Sequence, residues 1–232
     1  MPAGEAWLAP SERAVLAGLR VEKRARDWRL GRWVAKTAAT RALGEGVEVA
    51  ILADEEGRPT ARVAGRSAAD LPCVSLSHSR DLGFAAAWCG AGQVGCDVEA
   101  VEPRSEAFVD SYFTETERAR MAGSDLRPDV IRNLLWSAKE SALKALGEGL
   151  RSDTRRVEVT GVGWPSRPGR WAALDVAGPG EARFEGAWRE LDGFVWTVLV
   201  GPVKDGARRA SGAGGRRPMA VDQEPGSRPT FR

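Results

Sequence analysis

The chain has 232 residues, 43 % of them apolar and 28 % charged, and 34 Lys and Arg against 32 Asp and Glu leave a formal charge of +2. This is the make-up of an ordinary globule with material for one large or two small domains, and no exotic class is needed. Cys73, Cys89 and Cys96 are odd in number and lack Cys-x-x-Cys or Cys/His spacing, so neither a disulfide framework nor a zinc site is supported and reduced thiols fit better.

Pro10-Ser11-Glu12 reads as a helix start, with Ser11 as N-cap and a helix to about Leu19. Val21 to Leu43 is rich in Ala, Arg and Lys, has no proline and stops at Gly44, so a helix is predicted with Gly31 as its weak point. Strands are expected at Val47–Leu52, Cys73–Leu76, Phe84–Trp88 and Val94–Val98. The short turns between the last three favour antiparallel hairpins.

Glu102–Glu106 is polar and contains Pro103, so the division between subdomains is placed there: 1–101, then 102–204. Phe108 to Met121 reads as one helix, and Pro128 opens another on which Leu135, Ala138, Ala142 and Leu146 form the buried stripe. Val157 to Val200, rich in Trp and Val and interrupted by Gly turns, suggests a meander of strands. Residues 205–232 dissolve into Gly, Arg, Pro and Ser and are expected to be disordered. No internal sequence repeat is evident. Met1-Pro-Ala-Gly-Glu has neither the basic nor the apolar stretch of a secretory leader, and no apolar run approaches the ~20 residues that span a bilayer. A cytoplasmic protein without a membrane partner is expected.

Two segments carry distinctive chemistry. In Gly95-Cys-Asp97-Val-Glu99 the acids are two apart on a predicted strand and share a face. In Trp136-Ser-Ala-Lys139-Glu140-Ser-Ala-Leu-Lys144, Glu140 and Lys144 lie one helical turn apart, off the apolar stripe. Hard carboxylate oxygens beside ammonium groups suit a Mg²⁺-bound pyrophosphate, because Mg²⁺ takes few protein carboxylates and completes its shell with water and phosphate oxygens. A third segment, Ser75-Leu-Ser77-His78-Ser79, holds the single histidine, and Lys23 to Arg41 is strongly basic, as befits a polyanionic partner.

The three segments, in this order and spacing, resemble the signature of the Sfp-type 4′-phosphopantetheinyl transferases: Ser-His-Ser, Gly-x-Asp-x-Glu, then Trp-Ser-x-Lys-Glu-Ser/Ala-x-x-Lys. Gly57-Arg58-Pro59 and Gly147-Glu-Gly-Leu150 fall where that family has a Gly-Lys/Arg-Pro turn and a Gly-x-Gly-Leu loop. The resemblance runs from about Ser11 to Val200. It implies an α+β fold of two similar subdomains related by a pseudo-twofold, with the active site in the crevice between them. It also implies transfer of 4′-phosphopantetheine from coenzyme A, the co-substrate, to a serine of an apo acyl or peptidyl carrier protein, serving polyketide or nonribosomal peptide synthesis.

By the same resemblance Asp97, Glu99 and Glu140 coordinate Mg²⁺, with Mn²⁺ as the alternative, and Glu140, Lys144 and His78 are the catalytic groups. Ser77 and His78 donate to phosphate oxygens of coenzyme A, and Lys139 and Lys144 lie near its pyrophosphate. Lys23, Arg24 and Arg26 fall where the family binds the 3′-phosphate, with Arg32 an alternative, and Arg58 and Pro59 match the adenine-side turn. Two halves on one chain imply a monomer. An acidic carrier is expected to dock near Phe108 to Met121.

Plainer readings stand beside these. Asp97 and Glu99 read as solvated strand-end acids, His78 as a satisfied histidine, Trp136 as core, and the lysines as helix-surface charges, with Lys144 pairing Glu140. Other functions are a Ser-His-Asp hydrolase on Ser77, His78 and Asp97, which lacks a Gly-x-Ser-x-Gly elbow, and a nucleic-acid-binding module, which leaves the carboxylates unexplained. Ser77 and His78 are neighbours on an extended chain and point apart, which disfavours a triad.

Overall fold

A computed structural model describes residues 1–149, 152–201 and 220–223 of the chain. Helices α1 (Pro10–Ala17) and α2 (Glu22–Leu43) precede strands β1 (Ala50–Ala53), β2 (Pro59–Arg62), β3 (Cys73–Ser79) and β4 (Leu82–Trp88). Strand β5 (Gln93–Ala100) leads into α3 (Glu106–Tyr112), α4 (Glu115–Ala122) and α5 (Pro128–Leu146). Strands β6 (Glu158–Val162), β7 (Ala172–Ala177), β8 (Arg183–Leu191), β9 (Phe194–Gly201) and β10 (Ala220–Gln223) follow. No helix among the described residues is long and apolar enough to cross a membrane.

The strands form two antiparallel sheets, ordered β1-β2-β3-β4-β10 and β5-β9-β8-β7-β6. They define two compact units: Met1–Ala91 with β10, and a second that begins at Gly92. In the first, Val34, Ala35, Ala38 and Ala39 of α2 pack on Ile51, Ala61, Val74, Ala85 and Ala87. In the second, Leu134, Leu135, Ala138, Ala142 and Leu143 of α5 meet Leu174, Val176, Phe184, Trp188 and Leu199. A buried Leu of this kind stabilises by roughly 1.5–3 kcal/mol.

The two units share one plan, α+β in both. A short helix, a long helix and a four-strand meander recur in the same order, and a fifth strand joins the last strand of each meander. The β3–β4 and β8–β9 hairpins both turn through a non-glycine residue with positive φ, Arg80 and Asp192. Counted from these turns, Asp222 of β10, opposite Ala85, holds the register position that Asp97 of β5 holds opposite Thr197.

A sequence repeat accompanies the plan. Trp33 to Gly46 and Trp136 to Gly149 agree at nine of fourteen positions, Trp-x-Ala-Lys-x-x-Ala-x-x-Ala-Leu-Gly-Glu-Gly, which is too dense for coincidence at matched structural sites. The match is ungapped, so the expectation of no internal repeat is corrected.

Several sequence expectations are corrected. The N-cap of α1 is Ala9, not Ser11: Pro10 fits the first helical position, and Glu12 reaches back to the Ala9 N–H at 2.8 Å. Phe108–Met121 is two helices, because Phe113 is extended and buried and Thr114 and Glu117 form a capping box that starts α4. Strand β5 does not pair with β4 as a hairpin; it pairs with β9, and β10 takes the place beside β4. The passage between units therefore falls at Ala91–Gly92, ahead of the expected one. Of the tail expected to be disordered, Ala220–Gln223 is a strand; 205–219 and 224–232 lie outside the described residues, as does Leu150 of the expected loop.

Candidate active site

The second unit gathers its acids where β5 crosses α5. A Cβ on Gly95 would lie 1.8 Å from the Ser141 carbonyl oxygen, so glycine is what lets the strand pass this close to the helix. Buried hydroxyls hold the contact: Thr197 Oγ1, on the strand beside β5, is 2.8 Å from both Ser137 Oγ and Ser141 Oγ of α5. The two serines of the Trp-Ser-x-Lys-Glu-Ser segment are thus anchors of α5 on the sheet.

Around this crossing, Lys144 Nζ donates to Asp97 Oδ1 at 2.7 Å and to the Cys96 carbonyl at 3.2 Å, and lies 3.8 Å from Glu140 Oε2. Burial opposes its charge, but Asp97 and Glu140 outweigh that and hold its pKa above the ordinary value. Glu99 receives two donors. The Trp136 indole N–H is 3.1 Å from Oε1, and Arg104 Nη2 is 3.1 Å from Oε2.

Burial first, then the neighbouring Asp97, raises the Glu99 pKa, while Arg104 pulls the other way. Glu140 is pushed up to about 7, chiefly by burial and then by Asp97, against Lys144, with Glu99 adding to the rise. Asp97 thus opposes ionisation of both Glu99 and Glu140. Among the described residues no three His, Cys, Asp or Glu side chains form a ready metal cage; Lys144 and Arg104 are the counter-charges. The donor set nevertheless fits a hard divalent cation: carboxylate oxygens only, crowded and partly desolvated, with more negative charge than the local cations relieve at Glu140.

Trp136 is core and also holds a carboxylate. Its ring is buried among Phe108 and Tyr112, at centroid distances of 5.0 and 5.1 Å, and its N–H holds Glu99. A pocket of about 280 Å³ is lined by Trp136 with Phe108, Tyr112, Ser111 and Thr154.

Lys139 is not among these groups. It is fully buried and donates to Glu117 of α4, with Phe113 beneath it at 5.4 Å. It follows Ala138 into the core instead of sharing the face of Glu140 and Lys144, so the expected place near a pyrophosphate is corrected. Arg104 was missed by sequence reasoning. Its guanidinium bridges Glu99 and Asn133 Oδ1, 2.8 Å away, over the Phe108 ring. The only signal was its place five residues beyond Glu99, in a stretch taken for a linker.

The remaining candidates lie in the first unit. Ser77 is buried and His78 exposed on β3, facing opposite ways, so they do not form a nucleophile–base pair. Lys23 bonds Asp27 at 2.9 Å and Arg26 lies 3.4 Å from Asp81. The Asp27 carboxyl is held low, first by the Lys23 hydrogen bond against the effect of burial, then by the charges around it.

Arg24 is exposed nearby. Arg32 is buried over the Trp28 ring, and desolvation lowers its pKa. Arg58 pairs with Asp54 and Glu56 in the turn before Pro59. Two clusters thus result: cations on α2 with His78, and carboxylates with Lys144 on β5 and α5.

A two-unit α+β protein with a carboxylate and lysine crossing of this kind belongs to a limited class. Residues 93–175, from the first residue of β5 into β7, match the family model of the 4′-phosphopantetheinyl transferase superfamily. The chain is 33 % identical over 90 residues to a holo-[acyl-carrier-protein] synthase of Rhodopseudomonas palustris, a match covering 38 % of this chain and 63 % of that protein. A holo-[acyl-carrier-protein] synthase of Caulobacter vibrioides is 35 % identical over 95 residues, covering 38 % and 67 %. One of Geobacillus kaustophilus is 34 % identical over 88 residues, covering 35 % and 66 %. The chain thus spans about two thirds of the length of the curated relatives it matches. It belongs to the 4′-phosphopantetheinyl transferase superfamily.

Proposed function

We propose that the protein transfers 4′-phosphopantetheine from coenzyme A to a serine of an apo carrier protein, as an enzyme of the Sfp type. The observation that carries the reading is the juxtaposition of Asp97, Glu99, Glu140 and Lys144 inside the stretch that matches the family. In the reaction the serine Oγ forms a bond to the phosphorus that carries the pantetheine. The pyrophosphate P–O bond breaks and adenosine 3′,5′-bisphosphate leaves.

The physical difficulty is charge, since a neutral hydroxyl must approach a polyanion; positioning and neutralisation are needed more than covalent catalysis. Asp97, Glu99 and Glu140 would hold the divalent ion, Mg²⁺ or Mn²⁺. When bound, it supplies charge neutralisation and polarisation of the phosphate oxygens. Lys144 is the ammonium placed to stabilise the departing phosphate. Glu140 is also the candidate acceptor of the serine proton, directly or through water. Trp136 and Arg104 orient Glu99.

The cations of α2, Lys23, Arg24 and Arg26, with Arg58 of the turn before β2, would take the nucleotide end of coenzyme A, and His78 and Ser77 its phosphate oxygens. The exposed ring of Tyr112 and the pocket beside Trp136 support docking of an acidic carrier along α3 and α4. An acyl carrier is the partner named for the relatives; peptidyl carriers of polyketide or nonribosomal peptide synthesis extend the reading to this chain, acting as a cytoplasmic monomer. The test is intact-mass analysis of several apo carriers incubated with coenzyme A, Mg²⁺ and the protein. A phosphopantetheine adduct on a carrier serine, lost in EDTA, is expected; no adduct on any carrier would refute the reading.

A further inference from the structure

One buried ion pair occurs twice, bond for bond. In the second unit the two oxygens of Glu117 take three donors: Oε2 accepts from the Thr114 N–H at 3.0 Å and from Lys139 Nζ, and Oε1 accepts from the Val159 N–H at 3.0 Å. In the first unit Glu12 Oε2 accepts from the Ala9 N–H at 2.8 Å and Lys36 Nζ at 2.6 Å, and Oε1 accepts from the Ile51 N–H at 2.9 Å. Ile51 and Val159 are each the second residue of the first meander strand, and Ala9 and Thr114 are the N-caps of the short helices. Both carboxylates are fully buried. Each pair therefore ties a short helix, the long helix and the meander at one point.

The first unit serves as an internal control for the second. At the positions of Glu140 and Lys144 it has Thr37 and Arg41, so its brace exists without the carboxylate cluster beside it. A lysine that makes the same bonds in both places owes them to the fold. Lys139 has no exposed surface from which to meet a phosphate, and its ammonium is already committed to Glu117. It is also adjacent in sequence to Glu140, and the helix it pins carries Lys144.

We propose that Lys139 and Glu117 are positioning residues, a buried brace that fixes the axial and rotational setting of α5 and so the placement of Glu140 and Lys144, with Lys36 and Glu12 the duplicate that sets α2. The positioning role rests on the transferase reading, whereas the brace itself does not. Breaking one partner of a buried pair leaves an uncompensated charge, while neutralising both largely removes that penalty.

The experiment compares Lys139→Met, Lys36→Met, the double variant Lys139→Met/Glu117→Gln and the parent, all as the full chain. Each single substitution is expected to lower the thermal midpoint by roughly 6–20 °C. The double is expected to recover part of the loss and to supply folded protein even where the single does not fold. At a temperature well below its midpoint, the double should show a kcat for carrier modification reduced about fivefold or more, with KM and calorimetric Kd for coenzyme A within about twofold of the parent. Lys139→Met with an unchanged midpoint and a Kd for coenzyme A raised tenfold would overturn the proposal in favour of a phosphate ligand. A double variant no more stable than the single would overturn the brace, and an unchanged kcat in the folded double would overturn the positioning role. Because stability and coenzyme A binding are read without any carrier, a parent that modifies no carrier would refute the transferase reading alone.

Discussion

The two long helices, α2 and α5, have the same repeat of Trp, Ala and Lys and the same buried brace, yet they present different chemistry. On α5 the off-stripe positions are Glu140 and Lys144; on α2 they are Thr37 and Arg41. The Thr37 hydroxyl is spent on the Trp33 carbonyl at 2.9 Å, a local bond within its own helix. The fifth strands differ less, since Asp222 and Asp97 share a register position. A scaffold can therefore be duplicated while a handful of outward positions decide which copy holds a carboxylate cluster and which holds cations.

The largest effect that sharpens this contrast is expected at the carboxylates. Glu140→Ala and Asp97→Ala should each lower carrier modification by roughly 10³-fold or more, as should EDTA, while circular dichroism stays that of the parent. Thr37→Ala, at the matching place on α2, should leave the rate within about twofold. Equal losses at Glu140 and Thr37 would dissolve the distinction between the units.

His78 comes next. As a donor to phosphate, exposed on β3, it should be partly replaceable: His78→Ala is expected to slow transfer by roughly 10–100-fold and leave metal-dependent activity behind. Complete loss, matched by Ser77→Ala and accompanied by metal-independent cleavage of an activated ester in the parent, would favour the hydrolase instead.

A smaller, ligand-specific effect is expected on α2. Lys23→Ala or Arg26→Ala should raise KM for coenzyme A by about tenfold and leave KM for dephospho-coenzyme A nearly unchanged, since only the former carries the 3′-phosphate. Equal effects on both substrates would place the 3′-phosphate elsewhere.

The smallest concerns Arg104. Removing one of the two donors to Glu99 by Arg104→Gln should weaken Mn²⁺ binding, followed by electron paramagnetic resonance, by roughly threefold to tenfold. An affinity equal to that of the parent would show that Trp136 alone orients Glu99.

Much of this was legible in the sequence because it is local. Asp97 and Glu99 share a face through the two-residue period of a strand, and Glu140 and Lys144 through the helical one, so their pairing follows from spacing. The long helices, the β6–β9 meander and the off-stripe setting of Glu140 followed from periodicity and punctuation. Gly95 belonged to a recognisable pattern, but only the Ser141 carbonyl above it explains why no side chain fits.

What spacing cannot carry is the choice of partner over long separations. Arg104 meets Glu99 and Asn133 only because α5 returns to β5, and Lys139 turns from a surface charge into a buried one because Glu117, 22 residues earlier, waits on α4. The same limit hid the pairing of β5 with β9, since a short turn after β4 favours a hairpin until a distant strand offers all eight residues a partner. The sequence by itself determined the long helices, most strands and the shared faces of Asp97 with Glu99 and Glu140 with Lys144, through backbone periods of two and 3.6, but not the break between α3 and α4 or the strands β2 and β10. Tertiary structure alone decided which strand flanks β5, which lysine is buried and that burial and Asp97 raise the pKa of Glu99 and Glu140, because burial and charge proximity depend on elements far apart in the chain.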